Sequence, residues 1–205
     1  MEMEKWVVYG SMFSVLLPLI IGSSTLMNKP DKGVLPILLL LLLSFLTDLI
    51  CYFYAPYGPT YWIINLFSIF EILILGFIYS TQWKSRFIFL IVPIIWCVAF
   101  GIKLFENING FHGEYFAISS FIVMAFACYA FYRIFIEESV LSLESYYFFW
   151  INTGFLIYAS GSLFSFLLSH HILMENESSW MLHNAANILK NLLFAIGLWK
   201  ARLTR

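Results

Sequence analysis

Residues 34–54 have the sequence VLPILLLLLLSFLTDLICYFY, in which Asp48 is the only charged residue. An α-helix rises about 1.5 Å per residue, so about 20 such residues cross the roughly 30 Å hydrocarbon core of a membrane. Backbone polar groups in lipid need partners within the segment, which a helix supplies and a single strand does not. This stretch therefore predicts a transmembrane helix.

Six other stretches have the same character, and together they make seven predicted spans, which we number in chain order. A soluble domain is roughly 45–50% apolar and about 25% charged, whereas this chain of 205 residues is 61% apolar and 11% charged. The sequence thus predicts an all-α polytopic membrane protein, a seven-transmembrane-helix bundle formed by a single domain over residues 1–205. The predicted spans are residues 6–24, 34–54, 61–80, 87–105, 115–136, 146–169 and 180–199.

The first span could instead be a secretory signal peptide. Residues 1–5 carry two Glu against one Lys, and Gly22-Ser23-Ser24 is a poor copy of the usual cleavage motif. We therefore interpret it as the first helix of the bundle.

Lysine and arginine residues near the span ends predict the orientation. Lys5 and Lys103 lie on one side, and eight basic residues lie on the side where the odd-numbered spans end. Because the cytoplasmic side is enriched in these residues, we expect the N-terminus outside and the C-terminus in the cytoplasm, in a multi-pass protein of the cell membrane. The eight residues are Lys29, Lys32, Lys84, Arg86, Arg133, Lys200, Arg202 and Arg205.

An internal similarity links the two halves of the chain. Ser44-Phe-Leu in span two matches Ser165-Phe-Leu in span six. Asn65 and Glu71 have the same six-residue spacing in span three as Asn184 and Lys190 in span seven. Two interpretations stay open: a 3+1+3 parallel repeat, or chance similarity among apolar helices.

Three charged residues fall inside the predicted spans, where a charge costs roughly 2.5–3.5 kcal/mol on insertion scales. They are Asp48, Glu71 and Lys190. Glu71 and Lys190 each lie about 15 Å from the outer end of their helix, so we expect them to face each other inside the bundle, directly or through water. Asp48 is expected nearer the outside. The alternative is a buried ion pair that only orients two helices.

Polar side chains form stripes along the two helices that carry this pair. His183, Asn184, Asn187, Lys190 and Asn191 share an arc of about 120° on span seven. Tyr61, Asn65, Ser68 and Glu71 share a similar arc on span three. The glycines of span six, Gly154 and Gly161, favour a packing seam, whereas Tyr158 needs a polar partner. The predicted pocket residues are Glu71, Lys190, Asp48, Asn65, Tyr158, His183, Asn184 and Asn187.

A metal site is considered on the predicted outer side, because four possible ligands lie there: His170, His171, Glu175 and His183. Their spacing matches no known metal motif. Cys51, Cys97 and Cys128 are well separated and are interpreted as packing residues. We therefore expect neither a metal nor a cofactor. With a net charge of −1 and no basic run, the chain is expected to have no nucleic-acid partner.

Lys190 in the last span and Glu71 in the third resemble the retinal lysine and its counterion in microbial rhodopsins. Ala186 replaces the usual acid four residues before that lysine, so retinal is not expected. Residues 161–169 are similar to part of the lysoplasmalogenase-type proteins, but His170 stands where their acid would be.

Residues 152–161, Asn-Thr-Gly-Phe-Leu-Ile-Tyr-Ala-Ser-Gly, and residues 180–200 carry a broader similarity. With these segments the chain resembles small uncharacterised bacterial proteins that have seven transmembrane helices. The resemblance implies the bacterial inner membrane and no established activity.

These observations favour a protein that binds a small or lipid-like ligand, as a compact transporter or as a sensor coupled to a membrane protein partner or to a second copy of itself. The alternative is an intramembrane enzyme acting on a lipid, with Glu71 or Asp48 as general base and Tyr158 or His183 as proton donor. A third hypothesis is a structural or assembly protein.

Overall fold

The computed structural model describes residues 2–28, 33–82, 86–137, 143–168 and 180–203. Within these ranges the regular structure is entirely helical, with seven α-helices and one short 3-10 turn. We label the helices α1 to α7 in chain order. Their bounds are Glu2–Ser14 and Leu16–Asn28 for the two segments of α1, Val34–Tyr54 for α2, Tyr61–Gln82 for α3, Arg86–Glu106 for α4, Gly113–Glu137 for α5, Tyr147–Leu168 for α6 and Trp180–Leu203 for α7; the 3-10 turn is Leu143–Ser145.

Five of these helices are long and apolar enough to cross a membrane. The five stretches are Lys5–Met27, Val34–Tyr54, Tyr61–Gln82, Phe87–Glu106 and Gly113–Ile136, which belong to α1 through α5. Helices α6 and α7 are not among them within the described ranges, and α7 carries the polar stripe already identified. The all-helical class is thus confirmed, and seven crossings stay a prediction.

The bounds of the helices match the predicted spans closely. The first span was predicted over residues 6–24, and α1 covers this range with one interruption at Val15. Pro18 has no N–H to donate to the carbonyl of Ser14, and its ring crowds that carbonyl. The basic residues Lys29, Lys32, Lys84 and Arg205 lie outside the described residues, as do His170, His171 and Glu175 of the metal site that was weighed.

The helices form a closed ring in sequence order, because each packs against its chain neighbours and α1 also packs against α7. Asn187 Nδ2 donates to Ser11 Oγ at 2.8 Å, and Asn191 Nδ2 donates to Ser14 Oγ at 2.8 Å. The residue order of these contacts shows that α1 and α7 run in the same direction. We call the end at which α1, α3, α5 and α7 begin the near end, and the opposite end the far end.

The far half of the ring is filled by aromatic side chains around Tyr79 of α3. Tyr79 is fully buried, and its hydroxyl donates to Asn152 Oδ1 of α6 at 2.7 Å. Asn152 Nδ2 in turn donates to the carbonyl of Ala127 in α5 at 2.9 Å. The rings of Phe126, Phe148 and Phe155 contact Tyr79 on several sides. Hydrogen-bonded polar groups and packed aromatic rings therefore fill the centre of this half of the bundle.

Glycines allow α6 and α7 to approach closely. A Cβ atom on Gly161 would lie 2.6 Å from Ala186 Cβ, and one on Gly154 would lie 2.8 Å from the Phe194 ring. These distances are shorter than van der Waals contact, so only glycine fits at either position. The interpretation of both glycines as a packing seam is confirmed. The close approach brings Tyr158 of α6 next to Lys190 of α7.

Candidate functional site

A cavity of about 250 Å³ lies in the near half of the ring. Side chains of α2, α3, α5, α6 and α7 line it, together with Phe111 from the connection before α5. The packing around Tyr79 fills the centre of the far half, and the cavity extends from mid-bundle toward the near end. It contains five of the eight residues predicted for the pocket: Asp48, Glu71, Tyr158, His183 and Asn187.

Two carboxylates face this cavity, Asp48 from α2 and Glu71 from α3. Both interact electrostatically with Lys190. Among the residues that the structure describes, neither acid has a hydrogen bond, and neither lies within 4.0 Å of a lysine, arginine or histidine nitrogen. Two carboxylates without a direct partner among the described residues therefore line the cavity.

Lys190 is buried, with 7% of its surface exposed, but it does not line the cavity. Its Nζ lies over the ring of Tyr158, 4.2 Å from the centroid, and the Tyr158 ring forms part of the cavity wall. The negative face of an aromatic ring attracts a cation in this position. Within the described ranges, the direct Glu71–Lys190 ion pair considered from the sequence is not formed. The ammonium group of Lys190 contacts the Tyr158 ring instead.

His183 is oriented by Ser162, whose Oγ lies 3.0 Å from Nδ1 of the imidazole. Its ring also packs against Tyr158 and Phe166. A serine beside a histidine can form a nucleophile and base pair. Ser162, however, is only 1% exposed and does not line the cavity. The pair therefore fixes the position of the His183 ring in the wall.

The polar side chains along α7 contact two neighbouring helices. His183 and Lys190 lie against α6, through Ser162 and Tyr158, whereas Asn187 and Asn191 bond to α1. Asn184 is half-buried and does not line the cavity. Side chains spread over an arc of about 120° can contact two neighbouring helices. The polar stripe that was predicted to form one face is therefore divided between α6 and α1.

Asn65 is fully buried but serves a different purpose from the one predicted. Its Nδ2 donates to the carbonyl of Ile108 at 2.8 Å and lies 3.2 Å from that of Gly110. Asn65 therefore holds the connection between α4 and α5 against α3, and it is not part of the cavity lining.

This connection, residues 107–112, contributes Phe111 to the cavity lining at the near end, and we call it the cap loop. Phe111 projects from it into the lining and contacts the rings of Tyr61, Phe116 and Phe166. His112 Nε2 lies 2.9 Å from the carbonyl of Asn107, which keeps the loop compact. Sequence reasoning missed Phe111, because it lies in a connection between two predicted spans rather than within a span.

Hydroxyl and aromatic side chains complete the wall. The hydroxyls of Ser119 and Ser120 in α5 were not predicted, although two adjacent serines in an apolar span are a visible signal. The lining also includes the hydroxyl residues Ser44, Thr47 and Ser68, the aromatic residues Tyr61, Phe67, Phe116 and Phe166, the aliphatic residues Ile64, Ile72, Leu75, Val123 and Ala159, and Cys51. Within the described ranges no group of three His, Cys, Asp or Glu residues is placed to hold a metal.

The site therefore combines two acids, several hydroxyls and several aromatic side chains in one cavity. Compared with known proteins, the chain matches no family model, no curated protein and no solved structure.

Proposed function

We propose that this chain is an integral membrane protein with seven crossings, its near end outside and its far end in the cytoplasm of a bacterial inner membrane. Large apolar side chains on the outer faces support the proposal: Phe87 is 75% exposed, Phe121 64% and Phe164 60%. Large exposed apolar side chains of this kind are unfavourable in water, whereas lipid solvates them. Phe164 belongs to α6, which extends the argument beyond the five helices whose length and composition suit a membrane span.

Its proposed function is to bind a small ligand in the cavity between the helices. The observation that carries this proposal is that Asp48 and Glu71 line a cavity between the helices without a direct partner in the described part of the chain. Charged groups at such depth are costly, and functional sites are where they are retained. Ligand cavities are commonly about 300–1,000 Å³, so a volume of about 250 Å³ indicates a compact ligand.

Binding could serve transport or sensing. The two functions differ in what they require of the packed far half of the bundle. A transporter must open the packing around Tyr79 to release the ligand on the other side. A sensor needs only to pass a shift of one helix to a partner protein. Flux of a bound ligand into proteoliposomes would identify a transporter, and binding without flux would identify a sensor.

The binding function itself is tested on the full chain in nanodiscs, by measuring thermal stabilisation with a library of small cationic, anionic and neutral molecules. We expect at least one member to raise the Tm of the wild type and to lose this effect in Glu71→Gln. Glu114→Gln is the matched control, because Glu114 is exposed at the start of α5 and does not line the cavity. Absence of any stabilising molecule would contradict the proposal.

An intramembrane enzyme acting on a lipid is the second candidate, favoured by the presence of Asp48, Glu71, Tyr158 and His183 in one lining. Either acid would be the general base, and Tyr158 or His183 the proton donor. Incubation with bilayer lipids followed by mass spectrometry tests it. A product that disappears in Tyr158→Phe or Glu71→Gln would favour the enzyme over the binding protein.

A further inference from the structure

Among the residues that the structure describes, the charged side chains around the cavity do not balance. Asp48 and Glu71 are two acids, and in this part of the chain Lys190 is the cation that interacts with both. His183 also lines the cavity, but an unperturbed imidazole is mostly uncharged above pH 7. With both acids ionised, the site therefore has one surplus negative charge in surroundings that solvate charge poorly.

The surplus is exposed to the cavity, because the two acids line it and the lysine does not. Lys190 Nζ is held over the Tyr158 ring, 4.2 Å from its centroid, and lies outside the lining. Glu71 and Asp48 are part of the lining. Carboxylate oxygens accept hydrogen bonds and cannot donate them. A ligand that supplies both a positive charge and N–H donors would complement them.

The rest of the lining indicates the body of such a ligand. Phe67, Phe111, Phe116 and Phe166 present aromatic surface to the same volume. Aromatic faces pack against apolar groups and also attract cations. A volume of about 250 Å³ is far larger than a bare metal ion requires. The lining therefore suits a small organic cation better than an inorganic one.

Resting on the ligand-binding function proposed above, we infer that the cavity takes a small primary amine in its ammonium form. Its ammonium group is bound by Glu71 and Asp48, and its apolar body packs against the phenylalanine side of the wall. The ligand supplies the missing positive charge, while Lys190 stays on Tyr158 and balances the second acid.

The test compares three probes of similar size that differ in charge: 2-phenylethylammonium, 2-phenylethanol and phenylacetate. Binding to the full chain in nanodiscs is measured by calorimetry and by the shift in Tm. We expect the ammonium probe to bind most tightly. Loss of a charge-assisted hydrogen bond weakens binding by about tenfold or more, so Glu71→Gln and Asp48→Asn should each have this effect, whereas Glu114→Gln should not.

The Lys190→Met variant should change the affinity for the ammonium probe in the opposite direction from the acid variants. It also distinguishes a cationic ligand from a carboxylate ligand. Removing the nearby positive charge should strengthen binding of the ammonium probe. If phenylacetate binds instead, and Lys190→Met abolishes its binding, the binding function stands but the amine inference is wrong. Ammonium binding that is equal in Glu71→Gln and Glu114→Gln would reveal partitioning into lipid and would also overturn the inference. If no probe and no library member binds, the proposed function fails as well.

Discussion

The ammonium group of Lys190 lies 4.2 Å from the centroid of the Tyr158 ring, whereas no described carboxylate oxygen lies within 4.0 Å of it. Helix α7 thus directs its buried lysine to an aromatic ring of α6. The two acids with which the lysine interacts electrostatically remain on the cavity wall. This division leaves the negative charges available to a ligand.

Replacing the Tyr158 ring should destabilise the protein more than removing its hydroxyl. A desolvated cation–π contact contributes about 2 kcal/mol, so we expect Tyr158→Leu to have a free energy of unfolding lower by about that amount than Tyr158→Phe, which keeps the ring. Reversible unfolding of both variants in mixed micelles measures the difference. Equal stabilities would show that Lys190 does not depend on the ring.

Removing one acid should leave the unliganded protein at least as stable as the wild type. Glu71 has no direct partner in the described part of the chain, and it shares a single lysine with Asp48. Glu71→Gln therefore removes surplus charge without breaking a hydrogen bond described in the structure. Thermal unfolding without ligand tests this. A loss of about 3 kcal/mol or more, typical of a broken buried pair, would show that the carboxylate has a stabilising partner.

The glycine seam between α6 and α7 should not tolerate a methyl group. A Cβ on Gly161 would overlap Ala186 Cβ, and overpacking of this kind costs about 1–3 kcal/mol. We expect Gly161→Ala to lower the Tm and to weaken ligand binding, because the displaced helices carry Tyr158 and Lys190. Gly101→Ala is the matched control, since a Cβ there meets no atom within 4 Å.

The contact between the first and last helices can be measured by a double-mutant cycle. Asn187 Nδ2 and Ser11 Oγ are 2.8 Å apart, and hydrogen bonds between membrane helices contribute about 0.6 kcal/mol on average. We expect a coupling energy of about this size between Asn187→Leu and Ser11→Ala. A cycle between Asn187→Leu and Ser14→Ala should give a smaller value, because Ser14 bonds to Asn191.

Loosening the cap loop should change binding rates more than affinity. Asn65 attaches the loop through the carbonyls of Ile108 and Gly110 and makes no contribution to the cavity lining. Asn65→Ala should therefore speed both association and dissociation of a cavity ligand, as followed by stopped-flow fluorescence. Asn184→Ala serves as the control, being half-buried and outside the lining. Unchanged rates would show that ligands enter by another route.

Sequence patterns predicted the helices well because length and apolarity determine them locally. Val34–Tyr54 agrees at both ends with its predicted span. The interruption at Val15 was not predicted, because the length and apolarity of a span carry no information about a local break such as the one near Pro18. Asp48 and Glu71 were identified as pocket residues from the sequence, because a charged side chain within a membrane span is costly on whichever face of the helix it lies.

Partners of polar residues could not be predicted in the same way. Asn187 and Lys190 share a face of α7, and only the packing of the ring shows that one turns to α1 and the other to α6. The contribution of Phe111 was equally hidden, because the cap loop reaches the cavity through contacts with residues distant in sequence, such as Phe166.

The closed ring has a consequence for biosynthesis. Ser11 and Asn187 are separated by 176 positions, so the first helix must wait for nearly the whole chain to be synthesised before it meets its hydrogen-bonding partner. The last helix also delivers His183 to the wall. A chain that stalls during translation before α7 thus lacks both the closing contact and part of the cavity. Assembly of the fold and completion of the site are the same late event.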